Sequence, residues 1–206
     1  KRIKQYLELP VTIATDSVDY LESAFGTDDF DKVIGLEHVE ESNSRYFFDG
    51  TLSKKTASFK NANRASVYDL SPYDETLLMD TDYIVSNSLL KSAFTSTADF
   101  LIYKKSNDVA KVRDESEFSK ISDTSIDFYW ATVVFFRKTA TNKIFFDLIK
   151  HIEEEYNHYR RVYQITSPLF RNDFAFSIAI HIMNGFQSGD FAQQLPGSML
   201  YTTDKD

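Results

Sequence analysis

Short apolar runs alternate with polar, capping and turn residues along most of the chain. Ile3, Tyr6 and Leu7 recur at helical spacing and predict the tail of an amphipathic helix. After Pro10, Val11 to Thr15 is short and β-rich, and Asp16-Ser17 ends it as a cap for a helix through about Phe25. Val33 to Leu36 predicts a second strand, and the polar stretch from Glu37 to Phe59, with a turn at Asp49-Gly50, a loop or small hairpin. Asn61 to Leu70 reads as helix and is stopped by Ser71-Pro72. Glu75 to Met79 then predicts a buried strand that delivers Asp80-Thr81-Asp82 at its end. Asn87 to Phe94 reads as helix, Asp99 to Tyr103 as strand, residues 104 to 127 as a long polar connection, and Ile126 to Phe136 again as strand. Thr141 is the expected cap of a long helix whose members Ile144, Phe145, Leu148, Ile149, Ile152, Tyr156 and Tyr159 keep the 3.6 period. A last helix from about Asp173 to Asn184 closes on Gly185. Strands alternating with helices predict a single α/β domain over residues 1–206, with a mixed, mainly parallel sheet flanked by helices.

Composition narrows the class. With 18 Phe, 12 Tyr and 1 Trp in 206 residues, the chain carries far more ring surface than a disordered segment would. Its longest apolar run, Ala131 to Phe136 with Thr132 inside it, falls well short of the ~20 residues of a membrane span. The absence of Cys removes disulfides, thiolate nucleophiles and Cys-built zinc sites, and points to a cytoplasmic setting. The formal charge of −8 is local: between Asp16 and Asp49 ten acids face only Lys32 and Arg45. The remainder therefore sums to zero, and the pairs Lys54/Lys55, Lys104/Lys105 and Arg160/Arg161 read as solvated surface, not as a nucleic-acid stripe.

The chemistry sits in Leu77-Leu78-Met79-Asp80-Thr81-Asp82-Tyr83. An apolar strand that ends in two carboxylates one residue apart places them where open α/β sheets hold ligands. In extended backbone i and i+2 point the same way, so Asp80 and Asp82 can converge on one hard divalent cation, Mn²⁺ or Mg²⁺, bridging to a diphosphate. The bland alternative is two acids in a surface turn. An EF-hand calcium loop fails at Ile84 and Val85.

From Phe59-Lys60-Asn61-Ala62-Asn63-Arg64-Ala65 through Ser71-Pro72-Tyr73-Asp74-Glu75-Thr76-Leu77-Leu78-Met79-Asp80-Thr81-Asp82, the chain resembles the donor-site core of GT-A fold nucleotide-sugar glycosyltransferases, and that wording is similar to phage-encoded chains of the type. The resemblance implies a GT-A-like, Rossmann-like fold whose first β-α unit would lie upstream of Lys1. It also implies transfer of a sugar from a nucleotide-diphosphate sugar to an acceptor, with modified bases of phage DNA among the candidates; the short apolar runs, for their part, predict no membrane partner. On the matching positions it implies Asp80 and Asp82 as metal ligands and Lys60 and Arg64 as cations for phosphate oxygens. Arg171-Asn172-Asp173 resembles the acidic loop before the late helix, with Asp173 as the catalytic carboxylate and Asn172 beside the substrate. Tyr129-Trp130-Ala131-Thr132 stands where the family has a small Asn-Ser-Gly-like segment; here Trp130 and Thr132 would line the sugar pocket, a departure from the pattern.

Each role has a rival in plain structure. Asp173 reads equally as a helix N-cap, His181 as a packed histidine, Trp130 as core, and Lys60 and Arg64 as solvated helix cations. Two other functions compete. A non-catalytic nucleotide-sugar-binding or interaction module of the same fold would keep the site without turnover. A haloacid-dehalogenase-like phosphatase also uses D-x-D after an apolar strand, with the first Asp as nucleophile, but wants Gly-Thr where this chain has Tyr83-Ile84.

Overall fold

A computed structural model describes residues 1–37, 43–48, 54–59, 64–109, 119–122 and 125–201, with backbone alone for 43–48, 54–59 and 201. Helix α1 (Arg2–Leu7) leads through Pro10 into strand β1 (Thr12–Thr15), α2 (Val18–Phe25) and β2 (Lys32–Gly35). The hairpin β3 (Asn43–Phe48) with β4 (Lys54–Phe59) follows, then a 3₁₀ turn at Arg64–Ser66, α3 (Val67–Leu70) and β5 (Glu75–Met79). A 3₁₀ segment at Leu89–Thr95 precedes β6 (Phe100–Tyr103), β7 (Ser106–Asp108) and β8 (Trp130–Arg137). The remaining elements are α4 (Ala140–Glu154), α5 (Tyr156–Val162), α6 (Asn172–Met183), β9 (Gln193–Gln194) and β10 (Met199–Tyr201).

The architecture is mixed α/β, with sheets of both pairing kinds flanked by helices. The central sheet runs β5-β8-β6-β9, antiparallel at β5-β8 and β8-β6 and parallel only at β6-β9. β1 and β2 form a separate parallel pair, β7 and β10 another, and β3-β4 is antiparallel. The expected mainly parallel sheet is thus corrected among the described residues. The reason lies in the connection after β6. It begins at Tyr103 and returns to the same sheet end at Trp130, which pairs with Tyr103, so β8 must run back antiparallel between β5 and β6.

β8 is apolar on both faces because both are covered. Phe136 packs against Phe146 of α4 with ring centroids 4.8 Å apart, and Phe135 meets Phe94 of the 3₁₀ segment at 5.0 Å on the other side. Phe100 joins Phe145 at 4.6 Å, extending a phenylalanine core that includes Phe176 of α6.

Three local expectations shift. The cap of α4 is Thr139 rather than Thr141: its side chain accepts the Asn142 N–H at 3.2 Å. The buried face of α4 includes Phe146, which is fully buried, whereas Ile144 is 60 % exposed, and the helix breaks at Glu155 before α5. Residues 89–95 are 3₁₀, not α-helix, and the Ser92 and Thr95 hydroxyls there donate to the Leu89 and Ser92 carbonyls, a local competition with the α-helical ladder. The expected turn at Asp49-Gly50 lies outside the described residues.

Candidate functional site

β5 ends at Met79, and the Asp80 N–H continues its ladder by donating to the Thr132 carbonyl at 3.0 Å. The chain then turns: the Tyr83 N–H donates to the Asp80 carbonyl at 3.1 Å. Asp80 and Asp82 are therefore presented by a turn at the strand's carboxyl end, and not by the pleat of an extended segment. Thr81 and Asp82 are exposed, while Asp80 is half-buried.

Arg64, in the 3₁₀ turn before α3, reaches across to this point. Its Nη1 donates to Asp80 Oδ1, and its Nη2 donates to the carbonyls of Ala131 and, at 3.0 Å, Thr132. Its side chain is only 12 % exposed, and its buried Nε has no partner among the described residues. Arg64 is thus a cross-brace between the Asp80 turn and the start of β8, with little of it facing solvent.

Asp173 lies in the first turn of α6, where Arg171 is the N-cap residue. Its carboxylate does not cap its own helix. Oδ1 accepts the Ala131 N–H at 2.9 Å and Oδ2 pairs with Arg171 Nη2 at 2.7 Å, pinning the helix start to β8. The Arg171 guanidinium also lies over Phe128 and Phe174. Below, Tyr129 N–H donates to Ser177 Oγ, whose hydroxyl donates to the Asp173 carbonyl at 2.7 Å.

These groups share one cavity of about 750 Å³, lined at its polar end by Arg64, Asp80, Asp82, Thr132, Asn172 and Asp173. Burial raises the Asp80 carboxyl above its ordinary value; Arg64 opposes the rise, and the negative charges of Asp82 and Asp173 add to it. Three carboxylates, Asp80, Asp82 and Asp173, thus meet two guanidiniums, Arg64 on Asp80 and Arg171 on Asp173. Asp80 and Asp82 are its hard oxygen donors; among the described residues no group of three His, Asp or Glu side chains is gathered to hold a metal ion.

Of the residues expected at the site, Arg64, Asp80, Asp82, Thr132, Asn172 and Asp173 are brought together. Trp130 is not among the cavity's lining; it is buried at the start of β8, edge-on to Phe128 at 5.1 Å. Lys60 lies outside the described residues. His181 is packed edge-on between Tyr163 and Phe186, and burial lowers its pKa. Sequence reasoning missed the part played by the Ala131 backbone, which offers its N–H to Asp173 and its carbonyl to Arg64. Side-chain identity carries no signal for that.

Among the described residues no helix is long and apolar enough to cross a membrane. No family model, curated protein or solved structure matches the chain.

Proposed function

We propose that the chain is a metal-dependent glycosyltransferase that moves a sugar from a nucleotide-diphosphate sugar to an acceptor hydroxyl. The observation that carries this reading is the convergence of Asp80, Asp82, Arg64 and Asp173 on one cavity at the carboxyl end of β5. The donor set fits a hard cation: two carboxylates, one of them pushed toward its neutral form by burial and by acidic neighbours, form a site that a divalent ion would relieve. Asp80 and Asp82 would hold Mn²⁺ or Mg²⁺, whose contribution when bound is to offset charge on the leaving diphosphate.

The chain's own residues do the rest. Arg64 fixes the Asp80 carboxylate and adds a positive charge on the diphosphate side, where charge grows as the glycosidic bond breaks. Asp173 is held by two donors, yet a carboxylate has about four acceptor positions, leaving capacity to take the acceptor's proton. Asn172 and Thr132 line the same cavity with polar groups for the sugar.

A second reading has one observation in its favour: the Arg64 guanidinium already engages an Asp80 oxygen, as a built-in cation would in a binding module without turnover. Calorimetry with UDP- and GDP-sugars, with and without Mn²⁺, and assay of sugar release separate the two. Transferase activity requires Mn²⁺-linked nucleotide binding that Asp80→Asn and Asp82→Asn abolish, together with release or transfer of sugar. Binding without any turnover leaves the module, and metal-independent binding that both variants retain defeats the metal assignment. Adding DNA with hydroxymethylated bases as one acceptor arm tests that partner directly.

A further inference from the structure

Asp80 carries its own counter-ion, and that counter-ion is enclosed. Arg64 Nη1 donates to Asp80 Oδ1, while Nη2 is held by the Ala131 and Thr132 carbonyls at the start of β8. The carbonyls orient the guanidinium, but the one full negative charge it meets among the described residues is Asp80. Its side chain is only 12 % exposed, so solvent offers little in place of that charge. Stripping a buried guanidinium of its carboxylate is strongly unfavourable, because the charge is left without compensation.

This sets a condition on the two carboxylates. A divalent ion bridging Asp80 and Asp82 must take an Asp80 oxygen. On Oδ1 it removes the partner of Arg64; on the other oxygen it shares a single negative charge with a guanidinium in contact with the same carboxylate. Either way two cations press on one acid. Relief needs a further anion that touches the ion and Arg64 together, and all three side chains line one cavity. Arg64 also has a donor to offer: its Nε is buried and has no partner among the described residues, so its present contacts leave it incompletely satisfied. A diphosphate meets the condition, because its several oxygens bind a hard cation and a guanidinium at once.

We infer that Arg64 makes the site selective for an ion and a diphosphate together: it holds Asp80 against a divalent ion alone and yields the carboxylate only when a diphosphate takes the guanidinium. The inference rests on the reading of Asp80 and Asp82 as cation ligands and adds the residue that couples the two ligands. Such coupling is reciprocal, so the ion raises diphosphate affinity by the factor by which diphosphate raises that of the ion. Its size follows from electrostatics. A guanidinium beside a carboxyl weakens its hold on a proton by roughly 10- to 1,000-fold. A doubly charged ion on the same oxygens is repelled at least as strongly, so removing the charge of Arg64 should tighten binding of Mn²⁺ alone by ~10-fold or more.

The test titrates Mn²⁺ alone into the native chain, Arg64→Gln, Arg64→Lys, Asp80→Asn and the double variant Arg64→Gln with Asp80→Asn, reading free Mn²⁺ by electron paramagnetic resonance, and repeats each titration with UDP and with GDP. Gln keeps an amide donor for the β8 carbonyls without the charge, Lys keeps the charge without the fork, and thermal unfolding confirms that each variant is folded. Mn²⁺ alone should bind ~10-fold or more tightly to Arg64→Gln than to the native chain, and near the native level to Arg64→Lys. The gain should vanish in the double variant, and the coupling to UDP or GDP should shrink in Arg64→Gln. Equal Mn²⁺ affinity in the native chain and Arg64→Gln overturns the inference, and leaves the metal reading standing where Asp80→Asn still loses the ion. Equal tightening by Lys and Gln also overturns it, since loosened structure and not charge is then the cause. The native chain alone supplies a check that needs no variant: Mn²⁺ that binds as tightly without UDP or GDP as with either one overturns the coupling. Mn²⁺ binding indifferent to Asp80→Asn in both backgrounds removes the metal reading itself, and the inference with it.

Discussion

Replacing Asp173 separates its structural from its chemical role. In the native chain its carboxylate satisfies a buried donor, the Ala131 N–H, and pairs with the partly buried Arg171. Asp173→Ala removes both contacts at once. An orphaned buried N–H costs about 1–3 kcal/mol, and the ion pair, with side chains 27 % and 16 % exposed, contributes at most a further ~1 kcal/mol once solvent screening is allowed for. The total of roughly 1–4 kcal/mol corresponds to a fall in Tm of about 2–16 °C for a domain of this size. Asp173→Asn keeps an oxygen for Ala131 N–H but sets its amide NH₂ against Arg171, so its loss should stay near 1 kcal/mol.

Scanning calorimetry at pH 7 measures both variants, and the same samples go into the nucleotide-sugar assay. Asn at 173 should leave nucleotide affinity nearly intact while lowering turnover ~10²-fold or more, the mark of a group acting in the transition state. Ala at 173 with an unchanged Tm would refute the staple between α6 and β8. Full turnover with Asn at 173 would leave Asp173 as a structural residue and send the search for the base elsewhere.

Two further substitutions test the frame that holds the site. Phe146→Ala empties a fully buried ring position between Phe136, Phe145 and Phe176 and should cost about 3–5 kcal/mol in urea titration, whereas Ile144→Ala two residues earlier, 60 % exposed, should stay within ~0.5 kcal/mol; equal losses would contradict the helix orientation. Thr139→Ala removes the cap of α4 and should cost ~1 kcal/mol by the same titration, with Thr141→Ala near neutral; the reverse order would restore the cap expected from sequence.

How much of this was legible depended on the range of the interaction. The apolar run before Asp80 sufficed to place two acids at a strand end, because burial of Leu77 to Met79 and the polarity of Asp80 to Asp82 act within one short segment. The phenylalanine helix was legible as a helix, yet its phase was read through Ile144 instead of Phe146, since a run of adjacent apolar residues fits either neighbouring stripe. The direction of β8 was not legible. It follows from where a long polar connection re-enters the sheet, which no periodicity records. The brace from Arg64 to Asp80 spans 16 residues and ends partly on backbone carbonyls, so the sequence offered Arg64 as a solvated cation or a phosphate ligand and never as a partner of the acid.

That brace makes the acidity of Asp80 a direct probe of the site. Burial, Asp82 and Asp173 all favour its neutral form, and the Arg64 guanidinium opposes them. Arg64→Met should therefore raise the Asp80 pKa further, and it also strips the Ala131 and Thr132 carbonyls of a donor, at a cost of about 1–3 kcal/mol. The sign for stability follows. A carboxyl raised above its ordinary 3.8 holds its proton more tightly in the folded chain than in the unfolded one. Its contribution to stability is thus complete below that value and is lost as pH rises through the raised one. Asp80→Asn, locked neutral, should remove this slope and unfold at a higher temperature than the native chain near pH 7, the difference closing as the pH falls toward 3.8. Carboxyl ¹³C titration of Asp80 in native and Arg64→Met chains reads the acidity without any substrate. An Asp80 that titrates at the same pH in both would show that the guanidinium does not govern the carboxylate, and the electrostatic account of the site would fall with it.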